Sequence, residues 1–87
     1  RHLTAWASLG CDVTETTGGL EVSGVAPGGF ADQAGLQDGD LVLRVAGAPV
    51  VDIADLAVLV RGPLRTGQES RVRYLRGTEV LAGSGTV

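Results

Sequence analysis

Chemistry in this chain would have to be built from very few reactive groups. A serine–histidine–acid relay would need the single histidine, His2, beside one of Ser8, Ser23, Ser70 or Ser84. No serine sits in a nucleophile-elbow spacing, and a base two residues from the start of a domain is poorly held. Cys11 is the only cysteine, so there is no internal disulfide and no CxxC pair. His2 and Cys11 alone do not make a metal site, so no metal ligand set is predicted. Gly28-Gly29 lacks the Lys-Ser or Lys-Thr partner of a phosphate loop, and no GxGxxG occurs. The residues therefore predict no catalytic group and no cofactor, and point to a domain that holds another chain.

Composition narrows the partner. Net charge is −3, with seven basic residues, all of them arginine, against ten acids. Without a converging basic cluster the chain is a poor ligand for phosphate backbones, so nucleic acid is excluded as a partner. Arg71 and Arg73 alternate around Val72 as the solvated face of a strand does. No apolar run approaches the length of about 20 residues that spans a bilayer, so no direct membrane insertion is predicted. Eighty-seven residues make one domain, 1–87, and the opening at Arg1 without a methionine predicts a piece of a longer protein. Only Trp6, Phe30 and Tyr74 are aromatic, so Leu, Val, Ala and Ile must fill a thin core.

Fourteen glycines punctuate short strands. Strand character is predicted at Leu9 to Val13, after a weak alternation from Arg1. A second strand runs from Leu20 to Val25, ended by Pro27-Gly28-Gly29. A helix of one or two turns begins at Phe30 and is capped by Gly35, and a turn follows at Gln37-Asp38-Gly39-Asp40. Leu41, Leu43 and Val45 then alternate with Val42 and Arg44. Asp52 as N-cap, with Asp55 three residues on, predicts a helix from Ile53 to Val60 or Arg61, stopped by Gly62-Pro63. Ile53, Leu56 and Val60 make its core face, with Asp55 and Leu59 on a neighbouring face. Two final strands follow, from Ser70 to Leu75 and from Thr78 to Leu81. The tail from Ala82 either extends the last strand or frays, weakened by Gly83 and Gly85. The fold class is mainly β with two helices, a partly open barrel or sandwich of five or six short strands.

The string AxxAGLxxGDxVxxV from Ala31 to Val45, with Val25, Pro27-Gly28-Gly29, Gly47, Val50, Asp55-Leu56, Gly67 and the Arg73–Gly77 segment, resembles a PDZ domain. It is most similar to the kind attached to bacterial HtrA or Deg-type trypsin-like serine proteases. The resemblance spans nearly the whole chain. It departs from the usual pattern at Phe30, where Pro often stands, and at Ala46, where Asn is frequent. It implies a peptide-binding module that takes C-terminal or exposed apolar peptides as an added strand and so targets or regulates the attached protease.

On that resemblance, Ser8, Leu9 and Gly10, entered from Ala7, are the loop whose backbone N–H groups hold a peptide carboxylate. Cys11, Asp12 and Val13 are the strand that pairs with the peptide. Leu9 and Cys11, with Leu59 opposite, are the pocket for a terminal Val, Leu or Ala. Asp55 would face the residue two before the peptide's end and favour a donor or basic side chain there. Each has a plainer alternative: Leu9 and Leu59 as core, Cys11 as a small hydrophobe, Gly10 as a sheet-entry glycine, Asp55 as a helix cap. Arg1 and His2 lie where some relatives hold a base near the carboxylate, or form a ragged end. Two other functions stand beside the first. One is a packing or oligomerisation module against its own protease domain or sister subunits. The other is the PDZ domain of an intramembrane protease, a tail-processing protease or a secretion component. The resemblance favours an extracytoplasmic location, in the periplasm or cell envelope.

Overall fold

A computed structural model describes residues 2–6, 9–62, 64–65 and 67–87. Chain order is β1 (His2–Trp6), β2 (Cys11–Thr16), β3 (Gly19–Ser23), α1 (Phe30–Gln33), β4 (Leu41–Val45), β5 (Ala48–Pro49), α2 (Ile53–Arg61), β6 (Glu69–Arg76) and β7 (Glu79–Thr86). Among the described residues all pairings are antiparallel, in the order β1-β2-β3-β4-β6-β7, with the two-residue β5 off the path against β4. The fold is mainly β with two helices, as the turn-rich sequence predicts.

Three elements differ from the sequence expectation. β1 is a strand, although its sequence carries only a weak alternation. β2 begins at Cys11 and runs on to Thr16, because Leu9 and Gly10 are consumed by the turn that enters it. In β4 the buried residues are Val42 and Val45, while Leu41 and Leu43 of the expected Leu41, Leu43, Val45 series are only half-buried. The β4–β6 register slips between Val42 and Arg44, and a bulge of this kind reverses which parity faces inward.

The core gathers Val13, Leu20, Val22, Leu56 and Val72, each almost wholly buried, with Phe30, Ala31 and Tyr74 around them. Tyr74 donates its O–H to the Ala34 carbonyl at 3.1 Å, so the ring's polar end is satisfied inside. The short helix reaches the sheet because β7 offers it glycines. A Cβ on Gly83 would overlap the Ala34 carbonyl, and one on Gly85 would lie 2.8 Å from the Phe30 carbonyl oxygen. These two glycines, which weaken a strand taken alone, are what lets α1 lie directly on β7.

Asp40 is the one buried charge among the described residues, 2% exposed. Its carboxylate accepts from Arg76 Nε at 3.0 Å and Nη2 at 2.8 Å, and from the Gln37 N–H at 2.8 Å. Arg76 also donates to the Gly35 carbonyl at 3.0 Å and lies over the Tyr74 ring at 5.7 Å. One guanidinium thus joins the end of α1, the start of β4 and the end of β6. The hydrogen bonds from Arg76 hold the Asp40 carboxyl below the usual carboxylate range.

Two outcomes follow from this packing. Gly83→Ala should lower the unfolding free energy by about 1–3 kcal/mol in urea titration, because the added methyl has no room beside Ala34. Asp40 has a depressed native pKa, so its contribution is present at neutral pH and lost as pH falls through the folded value. Asp40→Asn should therefore unfold at lower urea than the parent at pH 7, and the gap should close progressively below about pH 4.

Candidate functional site

The turn into β2 is held from behind. Ala7 and Ser8 lie outside the described residues, but Leu9 and Gly10 are defined. The Leu9 carbonyl accepts the Ala31 N–H at 2.9 Å, and the Gly10 carbonyl accepts the Ala26 N–H at 2.8 Å. In a trans peptide the carbonyl and the following N–H point opposite ways. The N–H groups of Gly10 and Cys11 therefore face away from the Ala26–Ala31 buttress. Gly10 has φ +67, and a Cβ there would stand 3.1 Å from the Gly29 Cα, so both the dihedral and the space select glycine.

β2 is paired on both edges. On one side β3 runs in unbroken register from Asp12↔Ser23 to Thr16↔Gly19. On the other, β1 pairs His2↔Thr14, Leu3↔Val13 and Trp6↔Cys11, with a register shift between Leu3 and Trp6. Cys11 and Val13 point into the core and Asp12 points to the opposite face, half-buried.

α2 forms the other wall. Asp52 accepts the Asp55 N–H at 2.9 Å, and the Asp55 carboxylate accepts the Val51 N–H at 3.0 Å, a reciprocal cap across the first turn. Leu59 is buried with Ile53 and Leu56, so it shares the core instead of standing on a separate face; the Val60 side chain lies outside the described residues. Leu9, Cys11, Val13 and Leu59 belong to one cluster. The space beside the first three is a void of about 20 Å³, lined by Leu56 and not by Leu59. That void belongs to the core, with Phe30, Ala31 and Leu36 also on its walls, and it is too small for a ligand side chain.

Residues 21–66, more than half of the chain, match the sequence model of the PDZ domain. The chain belongs to the PDZ domain family. The human serine protease HTRA3 is 42% identical over 55 residues, which cover 61% of this chain and 12% of that protein. The chain thus spans about an eighth of that relative. The crystal structure of the HtrA3 PDZ domain bound to a phage-derived ligand (FGRWV) matches with a TM-score of 0.64 at 23% identity, over 100% of this chain and 88% of that one. The HtrA-type likeness expected from the sequence holds; its bacterial attribution does not draw on the named protein relative, which is human.

In this PDZ domain α2 and its caps lie inside the matched residues, whereas β1, the entry turn and β2 lie before them. A PDZ domain is a binding module and not a catalyst. The chemistry of Cys11 agrees, since burial first and the Asp12 charge second push its thiol up to about 11. It is a protonated small hydrophobe at neutral pH. Among the described residues no group of three or more His, Cys, Asp or Glu could hold a metal ion, and no helix is long and apolar enough to cross a membrane. A larger hollow of about 420 Å³ lies on the β4–β6–β7 face beside Arg44, Arg71 and Arg73. It contains no acid–base pair, and Arg71 and Arg73 are exposed there as the sequence alternation predicts.

Sequence reasoning missed Glu15. Its Oε1 accepts the Ile53 N–H at 2.8 Å, fastening the start of α2 to β2 across 38 residues of sequence. Only the three-dimensional approach of strand and helix gives it that role. Glu15→Ala should cost about 1 kcal/mol in chemical denaturation and speed amide exchange at Ile53. Glu15→Gln, which keeps an acceptor oxygen, should recover most of the loss.

Proposed function

We propose that this PDZ domain binds an extended peptide as an added strand on the outer edge of β2, with the peptide's terminal carboxylate at the N–H groups of the Leu9–Gly10 turn, where the resemblance also places Ser8. The observation that carries this reading is the buttressed turn itself. Its carbonyls are tied back to Ala26 and Ala31, which leaves the Gly10 and Cys11 N–H groups turned the other way, at the head of a strand. Backbone N–H groups so directed suit an anion, and the strand beyond them supplies the ladder that gives sequence-tolerant affinity.

Two side-chain features set specificity. Leu9, Cys11 and Leu59 line the place of a terminal aliphatic residue once it opens. Asp55 faces the residue two before the end and favours a basic side chain, its second oxygen remaining available beyond the Val51 bond. The ligand of the HtrA3 domain, FGRWV, has this pattern, with a terminal Val and an Arg two places before it. Because the relative HTRA3 is a serine protease, the further role is to target or regulate an attached trypsin-like protease through groove occupancy. A second reading, in which the module packs within its parent, draws on the fact that β2 already carries β1.

The test is an amide NMR titration of the labelled chain with FGRWV as free acid and as C-terminal amide. Saturable shifts at Leu9, Gly10 and Cys11 with the acid alone support carboxylate recognition. Equal shifts with both forms, or none at millimolar peptide, contradict it. Asp55→Asn should weaken FGRWV by about two- to fivefold and leave FGAWV unchanged, the size of an exposed charge pair.

A further inference from the structure

We propose that the chain supplies its own occupant for the peptide site: the segment His2–Trp6 lies on β2 as a built-in pseudo-ligand that an incoming peptide must displace. This rests on the peptide-binding reading above. A strand has two edges, and β3 holds one edge of β2 in unbroken register. The remaining edge is the one that strand addition needs, and β1 is paired to it. One row of N–H and C=O groups cannot serve two strands, so β1 and a peptide exclude each other.

The polarity matches as well as the place. β1 is antiparallel to β2, and its last residue, Trp6, stands opposite Cys11, next to the Leu9–Gly10 turn. A peptide that pairs antiparallel to β2 with its carboxyl end at that turn runs the same way. Leu9, Cys11 and Leu59, the pocket residues, are buried in this structure, in which β1 is paired to β2.

β1 is also built to leave. Among the described residues three partner pairs hold it, broken by a register shift, against five consecutive pairs between β2 and β3. A bulge interrupts the ladder and weakens the pairing locally. Only residues 7–10 link β1 to β2, so its effective concentration is on the order of millimolar or higher, enough for a poor strand to compete. Because β1 continues into that turn, it brings no terminal carboxylate. A free C-terminal peptide makes the one interaction that β1 lacks, which is the differential affinity needed to shift the equilibrium.

The test measures FGRWV affinity by calorimetry for three forms of the full chain. Leu3→Pro with Thr4→Pro removes ladder donors from β1 without shortening the chain. His2→Cys with Thr14→Cys joins two directly paired positions, whose spacing in an antiparallel ladder of about 5 Å suits a disulfide. The proline form should bind about fivefold or more tightly than the parent, as expected if the groove is open about a fifth of the time or less. The oxidised cysteine form should not bind, and reduction should restore binding. Equal affinity in all three forms overturns the occupant while leaving the peptide site standing. Binding by the locked form does the same. Absence of binding in every form, the proline variant included, overturns the peptide reading and the occupant with it.

Discussion

The backbone of Cys11–Thr16 has hydrogen-bonding groups on two edges, and what satisfies the second edge governs the rest of this domain. β3 fixes the first and with it the side that Cys11 and Val13 present to the core. The second edge lies beside a turn whose carbonyls are committed to Ala26 and Ala31. An extended segment is needed there, because an open, flat strand edge is a liability in water. The chain's own β1 meets that need in this structure, and a peptide meets it in the function proposed.

The exchange proposed at this edge leaves the rest of the scaffold's contacts intact. Those contacts lie elsewhere in the fold, where α1 lies against Gly83 and Gly85 and the Asp40–Arg76 pair joins α1, β4 and β6. Glu15 couples the far end of β2 to the start of α2, which fixes the spacing of the two walls at that end. Gly10 fixes the near end, through a left-handed dihedral pressed against Gly29. In the proposal above, the positions between these two anchors are those that exchange β1 for a peptide.

Much of this was legible in the residues. The turn chemistry of Gly35 and Gly39 and the cap pair Asp52 and Asp55 placed both helices, because caps and left-handed turns are local in sequence. The string from Ala31 to Val45 carried the family. Non-local features were not legible. The β4 irregularity breaks the parity that Leu41, Leu43 and Val45 imply, burying Val42 before it and Val45 after it, since such a slip depends on the partner strand. β1 escaped because its alternation is weak and its strand state depends on the free edge of β2, not on propensity. The resemblance places Leu59 opposite Leu9 and Cys11, with the core as the plainer alternative, and its burial shows how far helix packing, which spacing alone does not give, draws it inward. Of the entry turn, Gly10 announces its dihedral by its type, whereas the buttress behind it comes from Ala26 and from Ala31 of α1, some twenty residues away.

The most direct test is the pattern of cross-strand NOEs to the Val13 backbone, in the free chain and after saturation with FGRWV. The account predicts contacts from Leu3 in the free chain, replaced in the complex by contacts from the peptide, with the β3 contacts from Val22 unchanged. Leu3 contacts that persist in the saturated complex, or peptide contacts that map away from β2, would contradict it.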